Sequence, residues 1–164
     1  MVVAPLSPAE YLKEESESPV KREYIDGRIV AMAGGSRIHG LVSSRLSRRL
    51  PLDDEGCEYL NSDVKLWIAS RRSYLYPDGM IACPPNWVSD EAGAIDNPIV
   101  VFEVLSPSTE LRDRTVKFDL YESLPSIREI VYISTDRRAA ESFLRTGDGR
   151  WLRSNRSEGS MPLE

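Results

Sequence analysis

The chain has 164 residues, with 26 acidic against 21 basic residues for a net charge of −5, one histidine and two cysteines. This length fits one domain of ordinary size with a buried core. The negative balance excludes a protein that coats nucleic acid through bulk positive charge, but it allows an enzyme with a local basic groove. Because one histidine and two cysteines are too few for the common zinc sites, we expect any bound metal to have oxygen ligands.

No segment of the sequence is typical of a membrane span or a signal peptide. The apolar run over residues 99–105 is far shorter than the roughly 20 residues that cross a bilayer. Residues 1–4 are followed at once by Pro5 and then by acidic residues, unlike a secretion signal. We therefore expect a cytoplasmic protein with no membrane partner, in which Cys57 and Cys83 are reduced rather than joined in a disulfide.

The first third of the chain predicts a helix, a hairpin and a second helix. A Ser-Pro pair at residues 7–8 is a typical helix start, and we expect residues 1–20 to form an N-terminal helix and a linker. An Asp-Gly pair at residues 26–27, between two strand-like runs, predicts a β-hairpin. Ser36 precedes a helix over residues 37–50, in which apolar residues recur on one face. The residues of that face are Ile38, Leu41, Val42, Leu46 and Leu50.

The middle of the chain predicts strands and one loop. Residues 57–68 and 74–82 have the pattern of two strands that pair antiparallel. The stretch over residues 83–97 has the composition of a loop. Residues 99–105 are apolar apart from one carboxylate, which is typical of a strand covered on both faces.

The last third predicts a helix, two strands and a tail. The helix covers residues 110–124, a strand follows over residues 128–134, and an edge strand with a turn covers residues 140–151. We expect residues 152–164 to be a poorly ordered tail. This order of elements indicates an α/β or α+β fold with a mixed central sheet flanked by helices.

Two carboxylates stand where a folded core normally excludes charge. Glu103 lies on the strand whose faces both look buried, and an ionised carboxylate there costs several kcal/mol unless a cation, a metal or a set of donors compensates. The alternative to a metal ligand is an ordinary buried ion pair. Asp78 stands between Pro77 and Gly79, which both interrupt a strand. Taken alone, this Pro-Asp-Gly sequence is typical of a simple turn.

Lys117 lies within the apolar arc of its predicted helix. At about 100° per residue, Leu124 falls about 20° and Tyr121 about 40° to either side of it, whereas Arg112 falls on the opposite, solvated side. A lysine in this position either points into a site or pairs with Asp113 at i−4. Two strand-borne carboxylates can hold one hard cation, and a nearby lysine can orient a water, which is the apparatus of metal-assisted phosphodiester hydrolysis.

Several strings along the chain can be compared with known families. They are Glu23-Tyr24-Ile25-Asp26-Gly27, Ser36 with His39, Pro77-Asp78, Val101-Phe102-Glu103-Val104-Leu105-Ser106-Pro107-Ser108-Thr109, and Asp113 with Lys117 and Tyr121. In this order, from about residue 11 to residue 151, they resemble the Uma-type restriction endonuclease family. That family, long labelled a domain of unknown function and expanded in cyanobacteria, belongs to the PD-(D/E)xK nuclease superfamily.

The resemblance implies a restriction-endonuclease-like fold in a single nuclease-like domain over residues 1–164. It implies that Asp78 and Glu103 bind Mg²⁺ or Mn²⁺ and that Lys117 is the catalytic lysine. The superfamily pattern has a lysine two residues after the glutamate, where this chain has Leu105, so in this family the lysine has moved to the following helix.

The same resemblance gives four further candidate site residues. They are Glu23, His39, Asp113 and Tyr121. For Glu23 the alternative is an exposed hairpin charge. For His39 the alternatives are a core or capping residue and a contact with the metal ligands or a substrate phosphate.

Two functions fit these observations. The first is a divalent-metal-dependent DNA endonuclease, a homodimer by analogy with enzymes that cut both strands. Candidate contacts to the DNA backbone are Arg37, Arg45, Arg48, Arg49, Arg71, Arg72 and Arg114. The second is a catalytically inactive binding or dimerisation module, in which the carboxylates and Lys117 form a closed ion-pair network.

Overall fold

A computed structural model describes residues 5–32, 34–50, 52, 56–89 and 91–156. The helices are α1 (Pro8–Ser16), α2 (Arg37–Arg49), α3 (Glu110–Arg112) and α4 (Phe118–Glu122), with a π-helical turn (Asp113–Lys117) joining the last two. The strands are β1 (Arg22–Ile25), β2 (Arg28–Ala31), β3 (Glu58–Asn61), β4 (Lys65–Ile68), β5 (Ser73–Leu75), β6 (Gly79–Ala82), β7 (Trp87–Ser89), β8 (Ala94–Ile95), β9 (Val100–Leu105), β10 (Glu129–Ser134), β11 (Ala140–Arg145) and β12 (Trp151–Arg156).

The N-terminal helix and hairpin form as the sequence predicts. The Ser7 side chain and Glu10 make a capping box that begins α1. Asp26 and Gly27 both have positive φ, 42° and 86°, which is the backbone that a two-residue hairpin turn requires. The predicted turn between β1 and β2 is therefore confirmed.

Helix α2 begins at the predicted cap, where the Ser36 hydroxyl accepts a hydrogen bond from the backbone N–H of His39. Its apolar face is only partly buried. Leu46 and Leu50 pack against the core of the second sheet, whereas Ile38 and Leu41 are 48% and 45% exposed. The predicted helix forms, but only the C-terminal part of its apolar face packs on the sheet.

The strands form two six-stranded mixed sheets rather than the one central sheet predicted. The first sheet has the order β2-β1-β5-β4-β8-β7, and the second sheet has the order β12-β11-β10-β9-β6-β3. Both predicted strands in the middle of the chain are split in two, so that β4 pairs with β5 in the first sheet and β3 with β6 in the second. The break between β5 and β6 falls at Pro77, which has no backbone N–H to donate.

Two further boundaries differ from prediction. The stretch predicted as a loop contains β7 and β8, which pair with each other and, through β8, with β4. β12 (Trp151–Arg156) lies at the edge of the second sheet, so the prediction of a poorly ordered tail is wrong for residues 152–156. Residues 157–164 of that predicted tail lie outside the described part of the chain.

Cys57 and Cys83 form a disulfide, so the prediction of reduced thiols is wrong for this structure. The register of β3 and β6 pairs Glu58 with Ala82, and the cysteines flank this pair with Cα atoms 4.0 Å apart. Their proximity is a consequence of long-range strand pairing, which spacing along the chain does not reveal. Among the described residues, no helix is long and apolar enough to cross a membrane.

The second sheet carries the centre of the molecule. All six residues of β9 are buried, as predicted, and β9 lies parallel to β10 and antiparallel to β6. Glu103 lies on the β9 face that carries the helical segment from α3 to α4, and Phe102 lies on the face that carries α2. This arrangement brings β1, β6, β9 and the helical segment together around one group of charged side chains.

Gly79 at the start of β6 provides a test of this packing, because a Cβ there would overlap the ring of Tyr59 on β3. We expect Gly79→Ala to lower the free energy of unfolding by about 1–3 kcal/mol, measured by urea denaturation. Gly147→Ala, at an open position, serves as the control and should change it by less than about 0.5 kcal/mol. In a Tyr59→Leu background, Gly79→Ala should lower the free energy of unfolding much less. An equal decrease in both backgrounds would contradict the contact between residue 79 and the Tyr59 ring.

Candidate active site

Lys117 is buried among three carboxylates. Its Nζ lies 3.0 Å from Glu103 Oε1, 3.3 Å from Glu23 Oε1 and 3.4 Å from Asp113 Oδ1. Only 6% of the lysine side chain is exposed. The lysine therefore points inward, as its place in the apolar arc predicts, and its pair with Asp113 forms as well.

Glu103 is held by two donors from the helical segment. Besides the Lys117 ammonium, the Tyr121 hydroxyl donates a short hydrogen bond to Glu103 Oε1. Since Lys117 and Tyr121 are separated by four residues, one side of the segment presents both groups to the centre of β9. Two of the candidate residues given by sequence resemblance thus contact the same carboxylate oxygen.

Glu23 comes from the first sheet and is completely buried, which excludes the alternative of an exposed hairpin charge. Its Oε1 accepts a hydrogen bond from the backbone N–H of Tyr76 at 3.1 Å and faces Lys117. Its Oε2 lies 2.5 Å from Arg112 Nη2. Glu23 therefore links β1 to the end of β5 and to the helical segment.

Arg112 is a site residue that the sequence did not reveal, since helix periodicity placed it opposite Lys117. The π-helical turn over residues 113–117 explains the difference. A π-helix has more residues per turn than an α-helix, so residues i and i+5 are rotated less far apart in it. Arg112 and Lys117 are five residues apart, and both contact Glu23. No signal of apolar periodicity predicts a π-turn of this length.

Asp78 lies just before β6, in register with Glu103, because the neighbouring pair on β6 and β9 is Gly79 with Phe102. Asp78 Oδ2 accepts a hydrogen bond from the backbone N–H of Val104 at 2.7 Å. Its Oδ1 lies 3.0 Å from His39 Nε2. His39 therefore contacts a predicted metal ligand, and neither a capping nor a core role accounts for this position.

Burial governs the proton affinities at this site. Desolvation raises the pKa of Glu103 well above its usual range, and the positive charge of Lys117 only partly opposes this. Burial alone would lower the pKa of Lys117, but the surrounding carboxylates, Glu103 first, hold it above its ordinary value. Burial and Glu103 also raise the pKa of Tyr121, so the phenol stays protonated and can donate.

The site carries more negative than positive charge. Four carboxylates (Glu23, Asp78, Glu103 and Asp113) face two cations (Arg112 and Lys117), a formal balance of −2 when all four carboxylates are ionised and His39 is neutral. Among the described residues, no group of three or more His, Cys, Asp and Glu side chains is arranged around a metal position. Mg²⁺ in proteins commonly uses only one or two carboxylates and completes its shell with water and phosphate.

The seven predicted DNA-contacting arginines fall into two groups. Six are exposed: Arg37, Arg45, Arg48 and Arg49 on α2, and Arg71 and Arg72 just before β5, although Arg71 also pairs with Asp119. Arg114 is less exposed and is held in ion pairs with Glu110 and Glu141. The exposed residues of α2 lie on the helix that brings His39 to Asp78.

Comparison with known proteins shows the class of fold. A crystal structure described as "a putative nuclease belonging to DUF820" from Anabaena variabilis ATCC 29413 superimposes on 98% of this chain and 90% of its own, with a TM-score of 0.73. At 14% sequence identity this likeness shows the fold alone, which is restriction-endonuclease-like.

The chain belongs to the Uma2 family, described as "Putative restriction endonuclease", whose model matches residues 8–164. Two proteins of Synechocystis sp. are similar to it. "Uncharacterized protein sll1609" is 39% identical over 93% of this chain and 89% of its own length. "Uncharacterized protein slr1290" is 40% identical over 90% of this chain and 78% of its own length. The family predicted from the sequence strings is therefore confirmed.

His39 gives a direct probe of the site in the metal-free protein, because it is the only histidine. Its hydrogen bond to Asp78 raises its pKa against the opposing effects of burial and Lys117. We expect the NMR titration midpoint of His39 in EDTA to lie above about 6.5 and to fall towards that value in Asp78→Asn. Because the folded-state pKa is raised, the contact stabilises the fold below pH of about 6.5 and loses this effect as pH rises through the folded-state pKa.

An equal midpoint in the parent protein and in Asp78→Asn would contradict the contact. Asp63→Asn is the matched control, since Asp63 pairs with Lys21 and lies in the turn between β3 and β4. It should leave the His39 midpoint unchanged.

Proposed function

We propose that this protein is a divalent-metal-dependent DNA endonuclease that hydrolyses phosphodiester bonds, with Asp78 and Glu103 as ligands of Mg²⁺ or Mn²⁺. Lys117 is the catalytic lysine of this proposal. The observation that carries it is the position of Lys117 Nζ, 3.0 Å from Glu103, although the lysine comes from the helical segment rather than from β9. Membership of a family described as "Putative restriction endonuclease" supports the class of reaction.

The charge and donor chemistry of the site suit a hard cation. Oxygen is the ligand atom that Mg²⁺ and Mn²⁺ prefer, and one divalent ion would offset the formal charge of −2. When bound, such an ion makes an attacking water more acidic and offsets negative charge that develops on the phosphate.

The protein's own groups would orient the reactants. Lys117 stays protonated, so its ammonium can donate to a phosphate oxygen or to the attacking water. Glu23 and Asp113 hold this ammonium in place, and Tyr121 fixes the orientation of Glu103. These three act as positioning residues in this proposal.

DNA would reach the site along α2. Its exposed arginines lie on the helix that carries His39, and arginine contacts to phosphate fix the position of DNA without reading its sequence. Because the chain as a whole carries a charge of −5, we expect weak binding that depends on these few arginines and decreases as salt increases. A homodimer would allow both strands to be cut.

A second candidate function has one observation in its favour. The Lys117 ammonium already lies within 3.4 Å of three carboxylates, which is the closed network expected of a catalytically inactive binding or dimerisation module. In such a module the carboxylates would stabilise the fold through Lys117 and would have no affinity for a divalent ion.

Plasmid cleavage tests the proposal. With Mg²⁺ or Mn²⁺, we expect the parent protein to nick or linearise supercoiled DNA. The cleavage rate should fall at least about 100-fold in each of three variants, because each removes a charge from the reacting centre. These variants are Asp78→Asn, Glu103→Gln and Lys117→Met. The matched controls, Glu122→Gln and Lys13→Met, change exposed residues and should cleave like the parent.

Cleavage by the Asp78 and Glu103 variants at the parent rate would overturn the assignment. Absence of cleavage by the parent on double-stranded and single-stranded DNA would favour the inactive module. Thermal melting of each variant separates loss of activity from loss of folding, since Lys117→Met leaves buried carboxylates without their cation.

A further inference from the structure

A cavity of about 490 Å³ opens beside the candidate active site and has no role in the proposed reaction. In the strand register, Tyr132 on β10 lies next to Glu103 on β9. Glu141 on β11 lies next to Tyr132 on its other side. Asn155 on β12 follows next to Glu141. Tyr132, Glu141 and Asn155 all line the cavity. Because neighbouring strands are about 4.8 Å apart, the cavity begins roughly 10 Å or less from Glu103, on the same face of the sheet.

The charges in this cavity neutralise one another. Glu141 Oε1 accepts a hydrogen bond from Arg153 Nη2 at 2.6 Å, and its other oxygen pairs with Arg114. Burial opposes ionisation of Glu141, but these two arginines hold its pKa below the usual range. The charged residues of the lining are Arg114, Arg137 and Arg153 with Glu110, Asp136 and Glu141, so their formal charges sum to zero. A phosphate would meet a fixed carboxylate here, which argues against an anion site.

Two guanidinium groups of the lining lie over aromatic rings. The Arg114 guanidinium carbon is 5.1 Å from the centre of the Tyr132 ring, and that of Arg153 is 6.0 Å from the centre of the Phe143 ring. The Arg153 side chain is 57% exposed, so part of its planar group remains accessible. A guanidinium plane supported on one side by an aromatic ring is a surface on which another planar group can stack.

The hydrogen-bonding groups of the cavity are both donors and acceptors. Glu141 can only accept, Arg153 can only donate, and the Asn155 amide does both. The Asn155 side chain makes no hydrogen bond within the described part of the chain, so its amide is available to a ligand. A planar, uncharged molecule with mixed donors and acceptors fits this lining, and a nucleobase has these properties.

We propose that this cavity binds one unpaired nucleobase of the DNA strand that the protein cleaves, with the base stacked on Arg153 and hydrogen-bonded to Asn155. This inference rests on the proposed function, because it takes DNA as the substrate. A base within a duplex is stacked and paired, so it cannot enter a cavity of this kind. The substrate class is therefore single-stranded DNA, or DNA with an unpaired nucleotide close to the cleaved bond.

Binding without cleavage tests this inference. The 164-residue chain in EDTA is titrated with a short fluorescent single-stranded oligonucleotide and with the duplex of the same sequence. The single strand should bind at least about tenfold more tightly, since stacking of a base contributes affinity that a duplex cannot provide. When 2-aminopurine is moved along the strand one position at a time, binding should change its fluorescence strongly at one position.

Three arginine variants separate the cavity from general charge. Arg153→Ala should weaken single-strand binding about tenfold, and Arg153→Lys should do nearly the same because it keeps the charge but loses the planar group. Arg150→Ala is the matched control, because Arg150 is 84% exposed in the turn before β12 and does not line the cavity. It removes the same charge and should change binding by less than about twofold. Asn155→Ala, which disturbs no ion pair, should weaken binding as well.

Equal binding of single-stranded and duplex DNA, or equal losses in Arg153→Ala and Arg150→Ala, would overturn the nucleobase site. In that case cleavage of DNA by the parent protein would leave the endonuclease proposal intact. Absence of both DNA binding and DNA cleavage would overturn both proposals.

Discussion

The structure depends on keeping the Lys117 ammonium and its carboxylates buried together. Removing such charges from water costs several kcal/mol per ion, and only close partners offset this cost. Those partners come from separate parts of the fold: Glu23 from the first sheet, Glu103 from the second and Asp113 from the helical segment. The ion pairs of the candidate active site therefore also connect the two sheets. Loss of one partner leaves the other charges buried without a counter-charge.

The π-helical turn determines which side chains reach this centre. An uninterrupted α-helix would direct Arg112 and Lys117 to different sides, whereas the wider turn allows both to contact Glu23. The same helical segment places the Lys117 ammonium 3.0 Å from Glu103, whereas Leu105, two residues after Glu103 on β9, is apolar.

The sequence predicted the local features well, because short-range chemistry determines them. The Ser7 cap, the turn at residues 26–27 and the buried strand β9 follow from single residues or short patterns. Glu103 and Lys117 could be identified because each breaks an apolar pattern. The division into two sheets and the contact of Arg112 could not be predicted, since strand register and the π-turn depend on packing between distant segments. The Cys57–Cys83 bond was missed for the same reason.

In our proposal, Asp78 and Glu103 form a binding site for a divalent ion rather than part of a closed ion-pair network. Calorimetric titration of the folded protein with Mn²⁺ distinguishes these two arrangements, because it requires neither DNA nor turnover. We expect saturable binding that is lost in both Asp78→Asn and Glu103→Gln and retained in the exposed control Glu122→Gln. Absence of saturable binding by the parent protein, or unchanged binding by the two site variants, would contradict the metal site.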